Sequence, residues 1–222
     1  MEKQIIPAVL ENSLQNFEES IKKIENSKIN FSHIQIDIMD GKFVPNSSFD
    51  QEDENLNLNV NTDLKFELHL MTEHPLKDMI RWQTEASIFR VLFHIESNDD
   101  PQECIDFCLD NGWQVGIVIN PDTNITKVIP FAEKVDMLMF MTVIPGKQGQ
   151  KMMPEIEKKI KEYKNLIKNN EYKPLISVDG GINTDNIKTV KNWGVDILNV
   201  GSSLVKTTNL KKTYTELLNK LK

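Results

Sequence analysis

The sequence predicts a (β/α)₈ barrel. Three observations lead there. Eight apolar runs of strand length recur along 222 residues, segments with a helical 3.6-residue period lie between them, and no linker, low-complexity tract or second domain interrupts the series. The rival architecture, an open doubly wound sheet, would carry a glycine fingerprint after its first strand, and the stretch after "QIIPAVL" has none. A single barrel domain over residues 1–222 is therefore expected.

The predicted strands are, in order, "QIIPAVL" (4–10), "FSHIQID" (31–37), "KFELHLM" (65–71), "IFRVLFHIE" (88–96), "VGIVIN" (115–120), "VDMLMFMTV" (135–143), "LISVDGG" (175–181) and "DILNVGSS" (196–203). Between them, Leu14, Phe17, Ile21 and Ile24 follow a helical period, with Asn12 or Ser13 placed to cap the start. Pro75 follows His74 at a helix start, and Pro101 and Gly112 bracket another helix. Ile156, Ile160, Tyr163 and Ile167 form a stripe after Pro154, a good first-turn residue. Ile187, Val190 and Trp193 form the next, ending at Gly194, and Leu210, Tyr214, Leu217 and Leu221 the last. The weakest segment is "SSFDQEDENLNLNVNTD" (47–63), where a short or irregular helix is expected.

Composition narrows the function. A net charge of −7 argues against a nucleic-acid partner, which selects for a basic face. No apolar run reaches membrane length, and "MEKQIIPAVL" has no long apolar core of a signal peptide, so a cytoplasmic location is expected. Cys104 and Cys108 stand at i,i+4 with no further ligands nearby, which reads as a buried, reduced pair on a core-facing helix stripe.

Barrel enzymes work at the C-terminal ends of their strands. The turns "DGG" (179–181) and "GSS" (201–203) follow strands seven and eight, where glycine lets backbone N–H groups approach a phosphate. Gly180, Gly181, Gly201 and Ser202 are the candidates for that role. Asp37 and Asp179 end strands two and seven. A single aspartate in such a place often caps a helix. Two of them, with His69 between them and the phosphate turns beside them, point to proton transfer on opposite faces of one carbon. The same Asp37, His69 and Asp179 suit a divalent cation, whose charge would stabilise an oxyanion. Met39, Met71 and Met141 are placed to wall the pocket. His33, deeper along strand two, reads as a packed core residue, and His94 as either pocket lining or core.

These residues carry a resemblance. "QIDIMDGKFVPN", "FELHLM", "FHIE", "MTVIPGKQGQ", "SVDGGINTDNI" and "VGSSL" resemble, in order from about Ile6 to Leu204, the ribulose-phosphate 3-epimerase family. The resemblance implies a barrel that interconverts ribulose 5-phosphate and xylulose 5-phosphate by inversion at C3, with allulose-6-phosphate epimerases as close relatives. It implies that Asp37 and Asp179 are both acid–base groups and metal ligands, with His69 a further ligand among the substrate-facing residues. The one divalent ion it implies is zinc, iron or manganese. Met39, Met71 and Met141 match methionines beside the enediolate, and Gly146, Lys147, Gln148 and Gly149 fall in the lid after strand six. Family members assemble as dimers or larger rings, so a homo-oligomer is compatible with the chain.

The departures are as informative. Gln35 stands where the family has a histidine ligand, Ala8 where it has a substrate-contacting serine, and Lys42 where a histidine usually follows "MDG". The lid reads "IPGKQGQ" for the usual "NPGFGGQ", so Ile144, Lys147 and Gln148 are altered. An amide offers an oxygen but no imidazole nitrogen, which favours harder ions such as manganese or magnesium. The expected function is a ketose-phosphate 3-epimerase. Two alternatives stand beside it: an epimerase of a hexulose 6-phosphate, and a weakly catalytic phosphate-ligand-binding relative whose metal site is lost through Gln35.

Overall fold

The computed structural model describes residues 3–49, 62–85 and 87–222. Most of the weakly patterned segment 47–63 lies outside the described residues. Eight strands close into an all-parallel barrel in the order β1 to β8. They are β1 (Gln4–Val9), β2 (Ile34–Met39), β3 (Phe66–Met71), β4 (Ile88–His94), β5 (Gln114–Ile119), β6 (Met137–Met141), β7 (Leu175–Asp179) and β8 (Ile197–Val200). Pairing of β1 with β8, from Gln4 opposite Ile197 to Pro7 opposite Val200, leaves no open edge.

All eight strands fall within or beside the predicted runs. The largest shift is in β2, which starts three residues later than the pattern suggested and continues through Met39. Asp37 is thus inside a strand rather than at its end. The side-chain alternation of β2 sends Ile34, Ile36 and Ile38 outward into the layer shared with the helices, and Gln35, Asp37 and Met39 inward.

Around the barrel run α1 (Leu14–Asn26), α2 (Pro75–Trp82), α3 (Pro101–Asp110), α4 (Ile156–Leu166), α5 (Ile187–Asn192), α6 (Ser202–Val205) and α7 (Leu210–Leu221). Ser13 caps α1, accepting a hydrogen bond from the Asn16 N–H. Phe17, Ile21, Trp82, Ile160, Tyr163 and Leu217 bury the helix faces against the outward strand residues. Cys104 and Cys108 are free and buried, as the stripe predicts. Among the described residues, one strand–helix unit departs from the pattern. Between β5 and β6 the chain makes two 3₁₀ turns, Ile125–Lys127 and Ile129–Phe131, instead of an α-helix. Pro130 removes a backbone donor there, and Ile125, Thr126, Val128 and Ile129 are β-branched.

Inside the barrel, Ile6, Leu92, Val118, Met137, Met139 and Ile197 make an apolar plug under the mouth. Gly116 of β5 makes room for it, since a Cβ there would overlap the Leu92 side chain. The lower interior is not all apolar. Arg90 donates from Nη1 to Glu67 Oε2 at 2.6 Å and from Nη2 to Gln114 Oε1 at 2.6 Å. His33 is buried beside this pair, 3.7 Å from Glu67 Oε2, which agrees with the core role read from the sequence.

Candidate active site

β2, β3 and β7 bring three ionisable side chains together at the barrel mouth. Although β1 and β8 separate β2 from β7, the inward tilt of both side chains closes the gap. Asp37, His69 and Asp179 each present one ligand atom within 4.8 Å of the other two, and all three residues are buried. His69 Nδ1 lies 2.9 Å from Asp37 Oδ1 and 3.7 Å from Asp179 Oδ2. Gln35 joins the carboxylates, its Nε2 donating to Asp37 Oδ1 at 2.7 Å and to Asp179 Oδ2 at 2.6 Å.

The electrostatics follow from burial and crowding. Burial first, and the Asp37 charge second, push the Asp179 carboxyl well above the ordinary carboxylate range. Burial opposes charge on His69, but its hydrogen bond to Asp37 and the surrounding carboxylates outweigh that and hold its pKa above the ordinary value. Thus one carboxyl is biased toward holding a proton beside a histidine biased toward carrying one.

Two residues that the pattern left undecided or unnoticed complete the row. His94 Nε2 stands 3.0 Å from His69 Nε2, and His94 Nδ1 stands 3.2 Å from Glu96 Oε2. His94 is therefore buried behind His69 and is not a pocket wall. Its i,i+2 spacing from Glu96 in "LFHIE" was the available signal, since it sets both on one side of the chain at the end of β4.

The pocket is bounded by Ala8, Met71 and Met141 on its floor, the 180–181 turn and Gly201–Ser202 on one side, and Gly146 to Gly149 above. These predicted residues do come together. Met39 does not join them. It packs beside the pocket against Met71, which does line it, and Val44. Gly180 and Gly181 have φ of +118° and +65°, and a Cβ on Gly181 would come within 2.6 Å of Gln150 O and Met152 N. The turn therefore packs against the lid backbone in a way only glycine permits. Thr142, not anticipated, fastens the same turn by donating to the carbonyl oxygens of Asp179 and Gly180.

The lid is drawn over the mouth. Asn46 Nδ2 donates to Gly146 O at 2.6 Å, and Gln148 Nε2 donates to Leu10 O at 2.8 Å. Gln150 Nε2 braces the loop from within, bonding Ile144 O and Lys147 O. Beneath the lid the pocket is partly open to solvent and holds about 70 Å³, room for a few waters.

A divalent cation fits these residues. Their ligand atoms lie within 4.8 Å of one another, and two carboxylates with one imidazole are donor types that suit such an ion. Gln35 Oε1, a further oxygen, is buried without a hydrogen-bond partner.

Fold and site together define a (β/α)₈ barrel with a paired-carboxylate centre beneath a glycine-rich lid. The model of the ribulose-phosphate 3 epimerase family matches residues 4–205. The chain is similar to the ribulose-phosphate 3-epimerase of Chlamydia muridarum, 32% identical over 91% of this chain and 88% of that protein. It is similar also to that of Methanocaldococcus jannaschii, 33% identical over 96% and 92%. This chain belongs to the ribulose-phosphate 3-epimerase family and is an isomerase of the epimerase type. Among solved structures, 3-hexulose-6-phosphate synthase from Salmonella typhimurium superposes with a TM-score of 0.68 at 16% identity, over 98% of each chain. A tryptophan synthase α-subunit from Pyrococcus furiosus gives 0.68 at 14%, over 99% of this chain and 100% of that one. At these identities they share the fold. Among the described residues no helix is long and apolar enough to cross a membrane.

Proposed function

We propose that the protein interconverts ribulose 5-phosphate and xylulose 5-phosphate, with Asp37 and Asp179 as its two acid–base groups. The observation that carries this reading is the convergence of those two buried carboxyl groups on one small pocket whose rim is the glycine turns of β7 and β8. The phosphate sits at Gly180, Gly181, Gly201 and Ser202, which places the sugar carbons over the carboxylates. One aspartate removes the C3 proton, the electron pair moves into the C2 carbonyl to give an enediolate, and the other aspartate delivers its proton to the opposite face of C3. The raised Asp179 carboxyl is the donor in one direction, and the roles exchange in the other. Met71 and Met141 keep the wall of the pocket apolar, and closure of the lid excludes water from the reactive carbanion. Asp37, His69 and Asp179 would hold a divalent cation, which supplies positive charge beside the developing oxyanion.

Ala8 lines the pocket where a hydroxyl would otherwise contact substrate, so a hexulose 6-phosphate is the second substrate to compare. The test is turnover of each ketose phosphate in D₂O. The expected result is preference for ribulose 5-phosphate, deuterium at C3 of the product, and a loss of about 10²–10⁴-fold or more in Asp37→Asn and in Asp179→Asn. Full activity in either variant removes the two-base assignment. A preference for the hexulose 6-phosphate reassigns the substrate.

A further inference from the structure

Gln35 occupies the centre of the donor set rather than its edge. Its Nε2 is within 2.7 Å of a carboxylate oxygen of Asp37, 2.6 Å of one of Asp179 and 3.4 Å of His69 Nδ1. An amide NH₂ has two protons, one for each carboxyl group, and so holds the pair together much as a cation would. The other end of the amide is unsatisfied, with Oε1 buried and without a partner. Leaving a buried acceptor unpaired is unfavourable, and a side chain that does so at a functional centre calls for a physical reason.

A half-turn about the last torsion of glutamine exchanges nitrogen and oxygen with little change of shape. Facing the Asp37 carboxylate with no cation between them, the oxygen would be repelled. Facing a cation held by the two aspartates, it becomes a ligand. The exchange also provides for the nitrogen. Glu67 is the β3 residue in register with Gln35, on the same inward face, and its Oε1 is likewise buried without a partner. Two orphaned acceptors on neighbouring strands are what remains when the amide points its only donors at the carboxylates.

We propose that Gln35 is a two-position element of the cation site. Its amide nitrogen bridges Asp37 and Asp179 in the metal-free protein, and its carbonyl oxygen turns inward to complete an oxygen-rich donor set around a hard divalent cation such as Mn²⁺ or Mg²⁺. The proposal rests on the reading of Asp37, His69 and Asp179 as a cation site. It makes the substitution of glutamine for histidine a change of ion preference and of metal-free architecture, not a loss of the site.

The test uses the full-length protein stripped with chelator. Wild type and Gln35→His are titrated calorimetrically with MnCl₂ and with ZnCl₂. In ¹⁵N-labelled wild type, the Gln35 side-chain amide is assigned through bonds and followed during titration with Mg²⁺ and with Zn²⁺, which are diamagnetic. Wild type is expected to bind Mn²⁺, and Gln35→His to shift the Zn²⁺-to-Mn²⁺ affinity ratio toward zinc by at least about ten-fold. The amide resonance is expected to move on saturation as its carboxylate hydrogen bonds are lost. An unchanged affinity ratio overturns the proposal, as does an amide resonance that saturating cation leaves in place. Should Gln35→His fail to fold, the wild-type resonance alone decides. A wild type that binds none of these ions yet epimerises in chelator defeats this proposal and leaves the proposed function standing. Cation binding with amide movement but no epimerisation does the reverse.

Discussion

His69 and His94 face each other through their Nε2 atoms at 3.0 Å. One proton can lie between two such nitrogens. Glu96 accepts from His94 Nδ1, and burial holds the His94 pKa down to about 4, so His94 is neutral with its proton on Nδ1. Its Nε2 is then the acceptor, and His69 Nε2 the donor. That holds the Nε2 proton of His69 from behind, so that once Nδ1 gives up the proton it shares with Asp37, its lone pair faces Asp37 and Asp179, the side on which a cation would be held.

Removing the acceptor should therefore loosen the site without touching it. His94→Phe keeps a buried ring but leaves His69 Nε2–H unpaired. Cation affinity is expected to fall on the order of 10–100-fold, measured by calorimetry on chelator-stripped protein. His94→Gln, which retains an acceptor oxygen, should recover part of that loss. Equal losses in the two variants would show that His94 fills space and does not orient His69.

The two lid-side glycines separate a conformational demand from a steric one. Gly149 and Gly181 both have positive φ, at +74° and +65°, but a Cβ on Gly149 meets nothing within 4 Å, whereas one on Gly181 meets the backbone of Gln150 and Met152 at 2.6 Å. Gly149→Ala should cost about 1–3 kcal/mol of local strain and leave KM for the ketose phosphate nearly unchanged. Gly181→Ala should displace the β7 turn from the lid and raise KM about ten-fold or more. Steady-state kinetics on the pair checks this, and comparable KM values would contradict the close packing of turn and lid.

Much of this was legible in the sequence, and the physical reasons differ by residue. Strand positions could be read because buried parallel strands are near-continuous apolar runs, as in "VDMLMFMTV". Asp37, His69 and Asp179 stood out because charged or titratable residues at the ends of such runs are costly unless they have partners. The exact end of β2 could not be read, since "IDIM" continues the alternation. His94 was ambiguous because its partner, His69, is 25 residues away and meets it only through the register of β3 and β4. Asn46 and Thr142 were invisible for the same reason, as each acts on the backbone of a distant loop. Gln35 was noticed as a replacement, but its bridge between two carboxylates depends on β7 coming across the mouth.

Acid should weaken the fold through His33. Burial first and the Arg90 charge second lower its pKa to about 3, far below the 6.5 of an unfolded chain. Above pH 6.5 both states are neutral at this site and nothing is lost. Between 6.5 and 3 the unfolded chain holds a proton that the folded one refuses, so stability falls with pH by up to about 1.4 kcal/mol per unit. Urea unfolding at pH 7.5 and 5.5 should show a loss in wild type that is smaller by about 1 kcal/mol in His33→Asn. Identical losses would mean that His33 is protonated, or solvated, in the folded protein.

The charge pair beneath the site sets a different requirement. Glu67 is fully buried two residues before His69 on β3, and Arg90 on β4 is its cationic partner, with Gln114 occupying the rest of the guanidinium. Burial pushes the Glu67 carboxyl up while Arg90 opposes that push. Arg90→Met leaves the carboxylate in the barrel without its counterion, and breaking a buried pair in this way costs about 3–5 kcal/mol. Glu67→Gln in the Arg90→Met background removes the stranded charge, so the double variant should be more stable than Arg90→Met alone despite carrying one more substitution. Urea midpoints for wild type, both single variants and the double variant give the comparison. A double variant no more stable than Arg90→Met would show that Arg90 acts by packing, with its charge of little consequence to Glu67.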